Sequence, residues 1–184
     1  HRIFGSGILK NLNNSDPGGL NGAGNCGNNA MVILNQSAGV ISANVSGRVM
    51  RLDPSMIDGL TNKGLIQALN GGAVVLTGNG GGAFTNTGGT ITAQNGSEVQ
   101  MTAGASLVGG TLTTAGTGLF RNLDSASLSN LTNSGTFIAN NNTTTTLTGP
   151  ITNSGSITLN STVNFTALAL NGNVTLPGGG VITL

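Results

Sequence analysis

Acid–base chemistry on this chain would have to come from five carboxylates: Asp16, Asp53, Asp58, Glu98 and Asp124. Cleaving a glycosidic bond needs two carboxyl groups roughly 5–9.5 Å apart, so the question is whether any two of the five can meet. Covalent catalysis needs a nucleophile within reach of a base, and the one histidine, His1, stands at the first position. With one cysteine, Cys26, and one histidine, a zinc site lacks ligands and a disulfide within the chain lacks a partner. The side chains that do recur with regular spacing are hydroxyls, in Thr90/Thr92, Thr111/Thr113 and Ser156/Thr158. An i, i+2 pair on a strand points to one side, so these six residues are the candidate binding surface.

Composition narrows the partners. The 184 residues carry a formal net charge of +1, and the cations Arg2, Lys10, Arg48, Arg51, Lys63 and Arg121 are scattered. That is no footprint for nucleic acid or for an anionic membrane. Arg48 with Arg51 reads as a pair of solvated strand-edge charges. The aromatic platforms of single-strand binders are missing too, with no Trp, no Tyr and five Phe. No apolar run is long enough to span a bilayer as a helix. The chain opens on His and stops on "VITL", which suggests a piece of something longer. Evenly spread Ile, Leu and Val between Gly, Asn and Ser read as many short strands rather than as a disordered linker.

The elements that must position these groups follow from an internal repeat. "LTNSGTFIAN" (131–140) returns as "ITNSGSITLN" (151–160). Glycines precede similar phrases at Gly39, Gly64, Gly89, Gly110, Gly135, Gly155 and Gly180, at intervals of 20 to 25 residues. "SGILK" from Ser6 fits the same phrase. Within it Ile41/Ala43, Ile66/Ala68, Ile91/Ala93, Leu112/Thr114, Phe137/Ala139, Ile157/Leu159 and Ile182/Leu184 alternate with Ser, Thr and Gln, the period-two signature of a strand with one buried face. A second apolar pair follows at Val74/Leu76, Val99/Met101 and Phe165/Ala167, with Leu147 alone in its repeat. A third position precedes the glycines at Leu60, Phe84, Leu131 and Ile151.

One coil alone cannot offset the entropy of ordering its backbone with its few inward side chains, whereas stacked coils complete each other's burial. The expected fold is therefore all-β: a right-handed parallel β-helix, or β-solenoid. It has about seven coils of roughly 20–25 residues, three short strands each, and a length of about 35 Å. It forms a single domain over 1–184, with an N-terminal coil (1–38) carrying the Gly/Asn-rich insertion Asp16–Ala30 around Cys26, then regular coils over 39–184. "TNSG" would turn the same corner in every coil, because Asn and Gly tolerate positive φ and stacked Asn amides can ladder.

On that scaffold the carboxylates separate. Asp53 and Asp124 share a register, fourteen residues after Gly39 and Gly110, but lie three coils apart, about 14 Å at the strand spacing. Glu98 sits five positions earlier in its own coil, and Asp58 near the next corner. No catalytic pair, no metal and no cofactor is expected.

The phrases "TNSGTFIAN", "TNSGSITLN" and "TNTGGTITAQNG" resemble the passenger repeats of bacterial surface proteins, filamentous-haemagglutinin-like and autotransporter adhesins, over roughly residues 31–184. Similar coils occur in phage tailspikes and in the pectin-lyase-like superfamily. The resemblance implies a right-handed β-helix, export to the bacterial cell surface, and a structural or adhesive role as a stalk or contact surface. Expected partners are host-cell or surface glycans or proteins. The open strand edges of a solenoid end also suit end-to-end association. The resemblance transfers no functional residue, since its matching positions are corners and core. Two alternatives stand beside it. The Thr rows resemble those of insect and bacterial ice-binding solenoids, and the coil also suits a carbohydrate-binding or carbohydrate-degrading β-helix.

Overall fold

The computed structural model describes residues 1–10, 33–56 and 59–184. The insertion Asp16–Ala30, Cys26 and Asp58 lie outside the described residues. The first coil is β1 (Arg2–Gly5), β2 (Gly7–Lys10) and β3 (Ile33–Asn35), and the second β4 (Val40–Ala43), β5 (Val49–Asp53) and β6 (Leu60–Asn62). The third holds β7 (Leu65–Ala68), β8 (Ala73–Thr77) and β9 (Phe84–Thr85); the fourth β10 (Thr90–Ala93), β11 (Glu98–Thr102) and β12 (Ala105–Val108). The fifth holds β13 (Thr111–Thr114), β14 (Leu119–Asn122) and β15 (Ser125–Ser129); the sixth β16 (Thr132–Asn133), β17 (Thr136–Ala139) and β18 (Thr144–Pro150). The seventh is β19 (Thr152–Asn153), β20 (Ser156–Leu159) and β21 (Ala167–Thr175), and β22 (Val181–Thr183) follows.

From β1 to β21 every third strand stacks in parallel on its predecessor, and β22 adds to β20, giving sheets of seven, eight and seven strands. The fold is a parallel β-solenoid with three strands per coil, as the alternation required. Seven passes of the first sheet make six full turns between the first and the last. The core is one column fed by all three sheets. Ile41, Ile66, Ile91 and Leu112 come from the first sheet, Val74, Val99, Phe120, Phe137 and Ile157 from the second, and Leu60, Phe84, Leu107, Leu128 and Leu147 from the third, all buried.

The corner phrase behaves differently from the expectation. "GVISA", "GLIQA", "GTITA" and "GTLTT" lie in the first sheet, but "GTFIA", "GSITL" and "GVITL" lie in the second. The slip occurs in the sixth coil. There the first-sheet strand shrinks to Thr132–Asn133, and Ser134–Gly135 at once turn into β17, so Phe137 stacks on Phe120 only 17 residues later. "SGILK" is likewise a second-sheet strand, stacked under β5 rather than β4. Thus TNKG (61–64) and TNTGG (85–89) turn from the third sheet into the first, while both copies of TNSG turn from the first into the second. The local grammar is the same at both corners because the physical demand is the same. A Cβ on Gly64 would strike the Gly39 carbonyl, and one on Gly155 the Gly135 carbonyl, so each corner needs a glycine column before its strands can stack.

Asparagine columns line the same corners. Asn35 Nδ2 donates to Asn62 Oδ1 (2.7 Å), and Asn62 Nδ2 to Asn86 Oδ1 (2.6 Å), all three buried at the first corner. The other corner repeats the device with Asn133 Nδ2 donating to Asn153 Oδ1 at 2.8 Å. The third corner uses a single Asn122, whose Nδ2 donates to the Thr144 carbonyl and to Thr145 Oγ1, both at 2.9 Å. In a low-dielectric interior such amide-to-amide bonds favour one register, although the end members of the first column leave Asn35 Oδ1 and Asn86 Nδ2 buried without a partner.

The second apolar series is also re-sorted. Val74/Leu76 and Val99/Met101 stack as expected, but Ala167 pairs with Thr144 in the third sheet, and Leu147 stacks on Leu128 there. Phe165 is 82% exposed, on a corner loop whose Thr162, Val163 and Asn164 N–H groups all donate to Asn141 Oδ1 at 2.9–3.1 Å. A loop satisfied by three such bonds holds its shape without burying its own apolar side chains.

Candidate functional site

The three carboxylates among the described residues, Asp53, Glu98 and Asp124, are spent on structure. Asp53 Oδ1 accepts the Gly80 N–H at 2.7 Å, tying the second coil to the third. Asp124 Oδ2 accepts the Ala103 N–H at 3.2 Å, and its own N–H donates to Asn122 Oδ1 at 3.1 Å. Their shared register is off by one: Leu52 aligns with Leu76, Met101 and Asn122 through β8 and β11, so Asp53 stands level with Leu123 and Asp124 one step beyond. They remain three strands apart. Among the described residues no three of His, Cys, Asp and Glu gather as a metal site would require.

Glu98 has a partner that spacing alone did not reveal. Its Oε1 lies 2.9 Å from Arg121 Nε, and Gln100 Nε2 donates to its Oε2 at 2.9 Å. Burial pushes the Glu98 carboxyl up, but the hydrogen bonds from Gln100 and Arg121 and the Arg121 charge outweigh it and leave the group below its ordinary range. Because Gln100 and Arg121 are partners across β11 and β14, the bridge runs diagonally between neighbouring strands. The signal was present as opposite charges on adjacent rungs, but only the correct register exposes it.

The six hydroxyl residues do not form one surface. Thr90, Thr92, Thr111 and Thr113 are brought together on the first sheet, whereas Ser156 and Thr158 lie on the second. Thr158 belongs to a mixed column that runs Ile8, Arg51, Val75, Gln100, Arg121, Ile138. On the first sheet the slip instead recruits Thr132 and Thr152, completing a half-buried column Thr90–Thr111–Thr132–Thr152. Thr92 and Thr113 face each other with hydroxyls 2.8 Å apart and bond to each other.

The most regular hydroxyl array was not foreseen and sits on the third sheet. Ser125, Ser127 and Ser129 pair one-to-one with Thr144, Thr146 and Thr148, without a register shift. Ser129 Oγ takes an amide hydrogen from Asn130 at 2.8 Å; the other five hydroxyls make no hydrogen bond within the described residues. "SASLS" and "TTTTLT" carried this alternation in the sequence, but they lie away from the glycine anchors.

Comparison with protein-family models, with curated proteins and with solved structures gives no match.

Proposed function

We propose that this chain is a non-catalytic structural and adhesive module of an exported bacterial cell-surface protein, acting as a rigid β-helical stalk or contact surface. The observation that carries this reading is the commitment of polar chemistry to stacking. Amide columns close two corners, Asp53 and Asp124 staple neighbouring coils, and Glu98 bridges two rungs. Such a chain resists bending along its axis, and among the described residues each acid is engaged by a neighbouring coil rather than by a second acid. Its ligands would be surface glycans or proteins met by the sheet faces. An antibody raised against residues 39–184 is expected to label intact cells of the source organism, with the label removed by external protease. Labelling confined to permeabilised cells would overturn the reading, as would turnover of a polysaccharide by the purified protein.

A second reading, an ice-binding face, has one observation in its favour: the in-register, charge-free hydroxyl array of β15 and β18. It predicts thermal hysteresis that Thr146→Lys abolishes and Thr158→Lys leaves intact. Ordinary freezing of concentrated protein ends it.

A further inference from the structure

Four Asn–Gly steps lie in the described residues, Asn70–Gly71, Asn79–Gly80, Asn95–Gly96 and Asn171–Gly172, each with its asparagine exposed to water. Such a step can modify itself. The glycine nitrogen attacks the asparagine Cγ, the Cγ–Nδ2 bond breaks, and the departing amide takes the glycine proton and leaves as ammonia. Water then opens the resulting cyclic imide at either carbonyl, leaving aspartate or isoaspartate. The attack requires the glycine N–H to surrender its proton and its peptide plane to turn towards the asparagine side chain.

In three of the four steps that N–H is tied to a side-chain oxygen of an adjacent coil. Gly71 donates to Ser97 Oγ at 3.0 Å, Gly80 to Asp53 Oδ1 at 2.7 Å, and Gly96 to Thr117 Oγ1 at 3.1 Å. Asn95 is held a second time, its own Oδ1 accepting the Thr117 N–H at 3.0 Å and the Thr117 hydroxyl at 3.1 Å. Gly172 has no such side-chain acceptor among the described residues. We infer that Ser97, Asp53 and Thr117 are inter-coil guards that suppress self-deamidation at the solenoid corners, and that Asn171 is the site at which this chain modifies first. The guards come from neighbouring coils, so protection is a property of stacking rather than of any single repeat.

Peptide mapping by mass spectrometry during prolonged incubation at mildly alkaline pH tests this. In the folded protein Asn171 converts first. In concentrated urea all four steps convert at comparable rates, because the flanking glycine is the same. Thr117→Ala raises the rate at Asn95 roughly 5–100-fold, the equivalent of the two hydrogen bonds its hydroxyl makes, without changing Asn70. Thr117→Ser restores it, and Ser97→Ala, which removes the one bond to the Gly71 N–H, raises the rate at Asn70 roughly 3–10-fold. The inference is overturned if Asn70, Asn79 and Asn95 convert as fast as Asn171 in the folded chain. It is equally overturned if Thr117→Ala, with an unchanged circular dichroism spectrum, leaves Asn95 at its original rate.

Discussion

Asn62→Leu is expected to lower folding stability by roughly 2–6 kcal/mol, because each buried polar group left without a partner costs about 1–3 kcal/mol. Asn62 is the middle member of its column. Its amide donates to Asn86 Oδ1 and to the Thr90 carbonyl, and its Oδ1 accepts from Asn35 Nδ2 and from the Gly64 N–H. Leucine fills the volume but leaves Asn86 Oδ1 and the Gly64 N–H without the partner Asn62 supplied, while Asn35 Nδ2 keeps the Gly39 and Leu65 carbonyls. A domain holds only about 5–15 kcal/mol in total, so the loss is a large share of it. Thr85→Ala, at an exposed position one residue before the next asparagine of the column, should stay within about 0.5 kcal/mol. Urea midpoints for the two variants decide the matter: if Asn62→Leu unfolds with Thr85→Ala, the amide column is not a source of stability.

Phe120→Ala is expected to cost about 3–5 kcal/mol, whereas Phe165→Ala costs less than about 0.5 kcal/mol. Phe120 is fully buried and stacks between Val99 and Phe137. Truncating it opens a void shared by three coils, and the rigid sheets on all sides limit collapse into it. In a repeat architecture the damage is nearest-neighbour in range, so hydrogen exchange should quicken first in β11, β14 and β17. The comparison also tests the strand register. An arrangement that placed Phe165 in one column with Val74 and Val99 would make it a core residue and its removal costly.

These two residues mark what could be read in advance. The fold class was legible because alternation at Ile41, Ile66, Ile91 and Ile157 reports a buried face whichever sheet carries it, and all four are buried. Amide stacking was legible as well, since an Asn recurs two to four residues before Gly39, Gly64, Gly89, Gly135 and Gly155. Which sheet each phrase occupies was not. The spacing from corner glycine to inward side chain is the same at both glycine corners, and only the pairing of Thr132 with Thr111 fixes the assignment. That one ambiguity scattered the hydroxyl candidates over two faces and moved Phe165 from core to surface. The third-sheet hydroxyls escaped for a related reason: Ser125 to Ser129 and Thr144 to Thr148 belong to no glycine-anchored phrase.

The shortened turn at Ser134–Gly135 bears on how such a gene can grow. Copying a segment bounded by any two of Gly39, Gly64, Gly89 and Gly110 adds whole laps and leaves all three sides aligned, as does copying one bounded by Gly135 and Gly155. Unequal recombination that matched the DNA of Gly110 to that of Gly135 would instead join strands from different sides of the prism, turning everything downstream by a third of a lap. Length variants of this protein are therefore expected to differ by insertions on either side of that junction and not across it.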